Sequence, residues 1–506
     1  MLAVPMSTTA STPESPHQGT SQGTFQDTST APQNPLHERY ASREMAALFT
    51  AAHRFSTWRR IWILLAETQR ELGLPITGAQ IAALKAAAPK LDLARVAELE
   101  RRTRHDVVAH LRHFAEQADA EDPEAEAGGI LHLGATSAFV TDNTDASIVK
   151  EALEMLRGRL AAVIAALADF AEHWKELPCL AYTHFQPAQL TTVGKRAGLW
   201  LQDFVMDLTE LEHRLGTLRC RGAKGTTGTQ ASYLTLFDND GDKVRELDRR
   251  LGEKLGFPAC AAVTGQTYPR KQDSQVLACL SGIAESCHKF GTDLRLLQGV
   301  GELSEPFDES QVGSSAMAYK RNPVRAERLC GLSRRVITDA LNGPLNTAVQ
   351  WLERSLDDSS NRRLVLPDAF LGADAILTLA AHIAQGLTVR EETVAARVAR
   401  ELPFMATETI LMEAVLKGGD RQDLHERLRV LSFEAQDAVR RGEDNPLVDR
   451  IADEEEFRLN GEEIRSFLDP RYFTGRSAQQ VAELLEEVVR PALEGLEIAG
   501  VDGPRV

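Results

Sequence analysis

The chain has 506 residues, with 57 basic against 73 acidic side chains and a formal net charge of −16. With 43% apolar and 26% charged residues it has the composition of a globular protein, and its length suits about three domains or one large core with additions at each end. No run of about 18 uncharged apolar residues is present to cross a membrane, and the acidic excess disfavours general nucleic-acid binding. The same excess sits uneasily with an anionic substrate, which needs local positive charge.

The six cysteines, at 179, 220, 260, 279, 287 and 330, form no CxxC pair. In a chain this long they predict reduced thiols rather than disulfides or a zinc site, and hence a reducing, cytoplasmic setting. Residues 1–36 are rich in Ser, Thr, Pro and Gln and nearly without large apolar side chains. Such a segment buries too little to offset chain entropy, which predicts a disordered tail. No basic region precedes the short MLAVPM stretch, and the first Lys or Arg is Arg39. Neither a secretory signal nor an Arg-rich transit peptide is expected.

From Arg39 onward the pattern is helical. Residues 41–73 predict two helices, in which Trp58, Ile61, Leu64 and Leu65 have the spacing of a buried stripe. GLP at 73–75 ends them, and Thr77 is placed to cap the next. The acidic run 116–129 reads as a surface loop before LHLGATS at 131–137. TDNTD at 141–145 offers N-caps for a helix running to about Leu177, with Ile148, Leu153, Leu156, Leu160, Val163, Leu167 and Phe170 on one face. About 35 residues make a rod of about 50 Å.

Similar long segments cover about 189–217, 269–299, 321–352 and 362–388. Helices this long, with more than one apolar stripe, pack as bundles and often across subunits. Shorter helices follow from about Thr388, and no stretch sustains β alternation. The expected architecture is all-α, with a tail at 1–36, a helical part at 37–136, a central long-helix bundle at 137–389 and a C-terminal helical part at 390–506.

The most distinctive segment is VGSSAMAYKRNPVRAER at 312–328. It predicts a mobile loop with hydroxyls at its tip and cations at its base. Pro323 suits the first turn of a helix, whose N-terminus would add backbone donors for an anion. A serine there acts as a base only where cations and backbone donors make its proton labile. A lone histidine is more often structural, but YTHFQPAQLTTVGKR at 182–196 sets His184 among Gln186, Gln189, Thr191 and Lys195, which shifts the reading towards a polar site.

TRHDVVAH at 103–110 puts Arg104, His105 and Asp106 side by side. His105 and His110 are five apart, about 140° around a helix, so they do not share a face as metal ligands would. LHLGATS and AKGTTGTQ at 223–230 are small hydroxyl-rich loops, each a weak anion-binding signal. RSLDDSSNRR at 354–363 combines three arginines with two aspartates and reads by itself as a solvated salt-bridge face. Together these loops supply His, Ser, Arg, Lys and amide groups. No metal or cofactor motif accompanies them, so neither is expected. The inventory suits acid–base chemistry on a polyanionic small molecule.

At GSSAMAYKRNP the chain resembles the fumarase/aspartase superfamily, whose loop reads GSSxMPxKxNP. THFQPAQLTTVGKR, KGTTGTQAS, TGQTYPRK, LDDSSNRR and ELPFMATE resemble its adenylosuccinate lyase family in particular, from about Arg39 to about Glu487. The resemblance implies a homotetramer with a twenty-helix core and active sites built from three subunits. It also implies a carbon–nitrogen lyase that eliminates fumarate from adenylosuccinate, giving AMP, and from SAICAR, giving AICAR, in purine nucleotide biosynthesis.

By the same resemblance Ser314 is the base and His184 the acid, oriented by Glu327. His105 lies beside the substrate with Arg104 and Asp106. Lys320 and Asn322 hold the succinyl carboxylates with Thr136 and Ser137. Arg39, Tyr40, Gln266, Arg328, Arg354, Ser359 and Arg363 are further contacts, several around the phosphate.

Ala318 stands where the superfamily loop has proline. Proline restrains the open loop, so alanine makes closure less favourable by at most about 1 kcal/mol. The alternatives are a sister lyase acting on argininosuccinate, aspartate or malate, or a silent structural protein on the same scaffold. TRHD and LDDSSNRR speak against the first, and the retained Ser314, His184, Lys320 and Glu327 against the second.

Overall fold

The computed structural model describes residues 34–308, 311, 316–317, 319–500 and 503. Residues 1–33, most of the expected tail, lie outside the described residues. Five long helices carry the molecule: α1 (Ser137–His173), α2 (Val193–Thr217), α3 (Lys271–Gly299), α4 (Val324–Ala340) and α5 (Asp357–Gln385). α1 packs on α2 and α5, α3 on α4, and α4 on α5. With 37 residues, α1 is about 55 Å long at 1.5 Å per residue. Every member of its expected stripe, from Ile148 to Phe170, is buried.

The architecture is all-α with two small exceptions. Segment 178–192, part of which was expected to be helical, forms an antiparallel hairpin of β1 (Pro178–Thr183) and β2 (Gln186–Thr192). A second pair joins β3 (Leu303–Ser304) to β4 (Thr388–Val389). The hairpin escapes a periodicity reading because most of β2 is exposed, so no apolar alternation marks it.

Three boundaries differ from expectation. The TDNTD residues do not cap α1; the helix starts at Ser137, after Thr136, and Asp142, Asn143 and Thr144 are buried within it. The acidic run is helical through Glu121, because its Ala, Glu and Gln residues are good helix formers. The 321–352 segment divides into α4 and a short helix Asn342–Val349. Thr77 caps as expected, in a reciprocal capping box with Gln80.

α5 is the one described helix long and apolar enough to cross a membrane. Yet 78% of that window is buried inside the protein, and its Asp374 accepts the Ser42 backbone N–H at 2.6 Å. It is a core helix. The C-terminal helices close over a separate apolar cluster around Ile410, Leu424, Leu431, Phe457 and Ile464. All six cysteines are free thiols.

Candidate active site

A cleft of about 690 Å³, a size suited to a small-molecule site, opens where four chain segments meet against a fifth, the helix start at 49–58 that carries Arg54. The first is the TRHD corner. Helix Leu93–Thr103 ends at Arg104, whose φ of 53° turns the chain at once. His105 then becomes the N-cap of helix Asp106–Glu121, its Nδ1 accepting the Val108 N–H at 3.5 Å. A left-handed arginine is a strained choice of the kind concentrated at functional sites.

The other segments are the first turns of α1, the loop before α3, and residues 354–367 leading into α5. Loop and α5 segment touch closely: the Gln266 N–H donates to the Glu353 carbonyl at 2.9 Å. A Cβ on Gly265 would lie 2.5 Å from that same carbonyl oxygen, so only glycine permits the approach.

Beneath the cleft lies a floor of buried ion pairs. Arg270 meets Asp358 at 2.6 Å and Asp142 at 3.2 Å, while Arg354 reaches Asp358 at 2.7 Å. Arg362 meets Asp273 at 2.7 Å and Asp145 at 3.1 Å, and Arg54 meets Asp145 at 2.7 Å. The Tyr268 hydroxyl donates to Asp273 at 2.6 Å. Burial works against the Asp145 carboxylate, but Arg362 and Arg54 hold its pKa below the usual value. Burial likewise opposes the Arg270 charge, and Asp142 with its neighbours raises that pKa above the ordinary one.

The 354–363 segment is therefore only in part a solvated face: Asp358 and Arg362 are buried, while Arg363 is exposed. The sequence reading missed Arg54, Asp142, Asp145, Tyr268, Arg270, Asp273 and Arg362. The available signal was a cluster of acidic residues inside an otherwise apolar helix.

The cleft brings together Arg104, His105, Asp106 and Ser137 with Gln266, Arg354, Ser359 and Arg363. Thr136 immediately precedes α1 at its edge. Lining and floor together balance in charge within one chain. Arg54, Arg104, Arg270, Arg354, Arg362 and Arg363 face the carboxylates Glu100, Asp106, Asp142 and Asp145 in the lining, and Asp273 and Asp358 of the floor, paired with Arg362 and Arg270, make up the difference.

The remaining expected residues lie outside this lining. Arg39 and Tyr40 share the turn Leu36–Tyr40, and the Arg328 guanidinium stands 5.9 Å from the Tyr40 ring. Glu327 and Arg328 are on the first turns of α4, with exposed Lys320 and half-buried Asn322 just before it. The α4 N-terminus does not await an anion: its Arg325 and Ala326 N–H groups donate to buried Glu305 at 3.0 and 2.8 Å. Lys224, in the AKGTTGTQ loop, is likewise committed to Asp248. Ser314 and Ala318 lie outside the described residues.

His184 and Phe185 form the two-residue tip of the hairpin, with φ of 51° and 58°. Both angles are positive, as in the primed turns that suit hairpin twist, here without the usual Asn or Gly. Both side chains are exposed. Within one chain no hydrogen bond or ion pair joins His184 to Glu327 among the described residues.

The fold and the family comparison place the chain among the lyases of the fumarase/aspartase superfamily: residues 41–338 match the family described as Lyase. The structure resembles 3-carboxy-cis,cis-muconate lactonizing enzyme from Pseudomonas putida, with a TM-score of 0.77 at 23% identity over 90% of this chain and 99% of that one. It also resembles fumarate lyase from Mesorhizobium sp. BNC1, with a TM-score of 0.74 at 23% identity over 88% of this chain and 98% of that one.

Sequence relatives narrow the class. The chain is 47% identical over 464 residues to adenylosuccinate lyase from Saccharomyces cerevisiae, covering 91% of this chain and 95% of that one. It is 45% identical over 466 residues to adenylosuccinate lyase from Schizosaccharomyces pombe, with the same coverages of 91% and 95%. Residues 403–484 match the family described as adenylosuccinate lyase C-terminus. The chain belongs to the adenylosuccinate lyase family.

Proposed function

We propose that this protein cleaves adenylosuccinate to AMP and fumarate, and SAICAR to AICAR and fumarate, by β-elimination. The observation that carries the reading is the meeting, in one cleft, of eight residues expected from scattered motifs. The chemistry needs a base for the Cβ proton, an acid for the leaving nitrogen, and cations for the aci-carboxylate intermediate. In this reading Ser314 is the base and His184 the acid, with Glu327 orienting the imidazole.

Lys320 and Asn322, with Thr136 and Ser137, take the succinyl carboxylates. Arg104, His105 and Asp106 line the substrate on the TRHD side. Gln266, Arg354, Ser359 and Arg363 take the nucleotide side, together with Arg39, Tyr40 and Arg328.

The balanced charge of the cleft bears on assembly. One chain alone offers no positive excess once the floor carboxylates Asp273 and Asp358 are counted with the lining, whereas the proposed substrate carries a phosphate and two carboxylates. We therefore assign the excess to Lys320, Arg39 and Arg328 brought from neighbouring subunits of a homotetramer. Two observations support this. Among the described residues no side-chain hydrogen bond or ion pair is found for His184 or Glu327, and the long helices expose Leu199, Met206, Leu296 and Leu364. Apolar faces of this kind mark association surfaces. The unbridged cysteines favour the cytoplasm.

The test is incubation of purified protein with adenylosuccinate, following its absorbance and the fumarate released. No fumarate overturns the reading. Light scattering that gives a monomer overturns the shared site.

A further inference from the structure

A polar clamp centred on buried Glu302 grips the hairpin at Tyr182, two residues before the His184 of its tip. We propose that Glu302, Tyr182 and Arg397 are positioning residues that set the pose of this tip, so that turnover depends on a contact from the C-terminal helices. The inference rests on the reading of His184 as the acid.

The geometry is continuous from the C-terminal part to the tip. Glu302, only 1% exposed, sits between α3 and β3. Its Oε1 accepts the Tyr182 hydroxyl at 2.7 Å and the Arg397 Nε at 2.9 Å. Arg397, on helix Glu391–Met405, also donates through Nη2 to the Tyr182 oxygen at 3.0 Å, closing a three-membered ring of hydrogen bonds. Arg196 at the start of α2 donates to the other Glu302 oxygen at 3.3 Å and to the Leu180 carbonyl, with its guanidinium 5.7 Å from the Tyr182 ring. The Tyr182 ring in turn lies 5.7 Å from that of Phe185, the residue after His184. Beside this ring of polar contacts, Leu180 and Leu190 pack on Val398 and Leu402.

Two features separate positioning from mere support. A buried carboxylate with cationic partners is a poor stabiliser, since desolvation offsets most of its attraction. The apolar contacts beside it already hold the hairpin down. What the clamp adds is direction. The strand register shifts between Ala181 and Tyr182, an irregularity of the kind that re-aims a side chain. Beyond it the tip is exposed, with two residues at positive φ that depend on their flanks to hold them. A general acid displaced by about 1 Å loses about a hundredfold in rate.

The test uses the full-length protein with Tyr182→Phe and Glu302→Gln, measuring kcat, KM for adenylosuccinate and Tm. Tyr182→Phe keeps the ring and its stacking and removes only the hydroxyl, so it reads the clamp even where Glu302→Gln does not fold. For Tyr182→Phe the expected result is a kcat lower by about tenfold or more, with KM and Tm close to the parent values, whereas Glu302→Gln also leaves Arg196 and Arg397 uncompensated and lowers Tm. A parent-like kcat in Tyr182→Phe overturns the proposal, as does a parallel collapse of kcat, KM and Tm in that variant. His184→Ala is measured alongside. Full activity in that variant removes the acid assignment and the clamp with it; lost activity there, with a parent-like Tyr182→Phe, removes the clamp alone.

Discussion

The Arg363 guanidinium donates to the Asp106 carboxylate across 3.2 Å, tying the TRHD corner to the start of α5 from 257 positions away. The pair is open to solvent, with Arg363 67% and Asp106 31% exposed. Exposed pairs of this kind contribute about 0–1 kcal/mol to stability. A charged hydrogen bond to a bound anion is stronger, about 1.5–3 kcal/mol. Arg363→Ala should therefore raise KM for adenylosuccinate by about 10- to 100-fold with almost no change in Tm. Steady-state kinetics beside a thermal melt check it; a large Tm loss with unchanged KM would assign Arg363 to the scaffold instead.

Asp358 behaves in the opposite way. It is fully buried and serves both Arg270 and Arg354. Removing one partner of a buried ion pair leaves the other charge uncompensated, at a cost of about 3–5 kcal/mol. Asp358→Ala should thus lower stability by that order and disturb the cleft floor. Urea unfolding of the variant reads the difference, and a loss below about 1 kcal/mol would show that the floor is wetter or more adaptable than its geometry indicates.

A third expectation concerns pH. His110 is buried against Phe55 and Trp58, with ring centroids 3.9 and 5.0 Å away. Burial lowers its pKa from 6.5 to about 4, against the pull of Asp106. The folded imidazole stays neutral while the unfolded one takes up a proton below about pH 6.5. Its stabilising contribution is present above that pH and is lost as pH falls towards about 4, because the unfolded state then binds more protons. Burial likewise lowers the pKa of His132, whose Nδ1 accepts the Trp62 indole N–H at 2.9 Å. Between pH 7 and 5 the parent should lose about 2 kcal/mol more stability than His110→Gln. Equal losses in urea titrations at the two pH values would contradict the neutral buried form.

How much of this was legible beforehand differed by the range of the interaction. The α1 stripe and the Thr77 cap are local patterns, and a sequence reads them directly. Asp142 was misread as part of a cap because Asp favours helix starts. Its carboxylate instead serves Arg270, 128 positions away, and no local rule encodes that partner. Motif resemblance found eight of the residues lining the cleft, since those loops keep their local composition. It missed the floor, whose members are ordinary charged residues until the helices pack. The hairpin escaped for a related reason: its tip and most of β2 are exposed, so burial left no alternation to read.

That bare tip supports the last prediction. His184 is exposed at φ 51°, while His105 lines the cleft. If the imidazole of one subunit serves the cleft of another, two inactive variants should rescue each other. His184→Ala and His105→Ala should each lose about 10²- to 10⁴-fold in kcat, the usual contribution of a group acting in proton transfer. Coexpressed with different tags, they form mixed assemblies in which some sites draw an intact His184 from one chain and an intact His105 from another. Random mixing of a closed oligomer makes about a quarter of the sites complete. Activity of doubly purified mixed assemblies at about that share of the parent is the expected outcome. Mixed assemblies as inactive as either variant alone would mean that the two histidines do not meet across a subunit boundary.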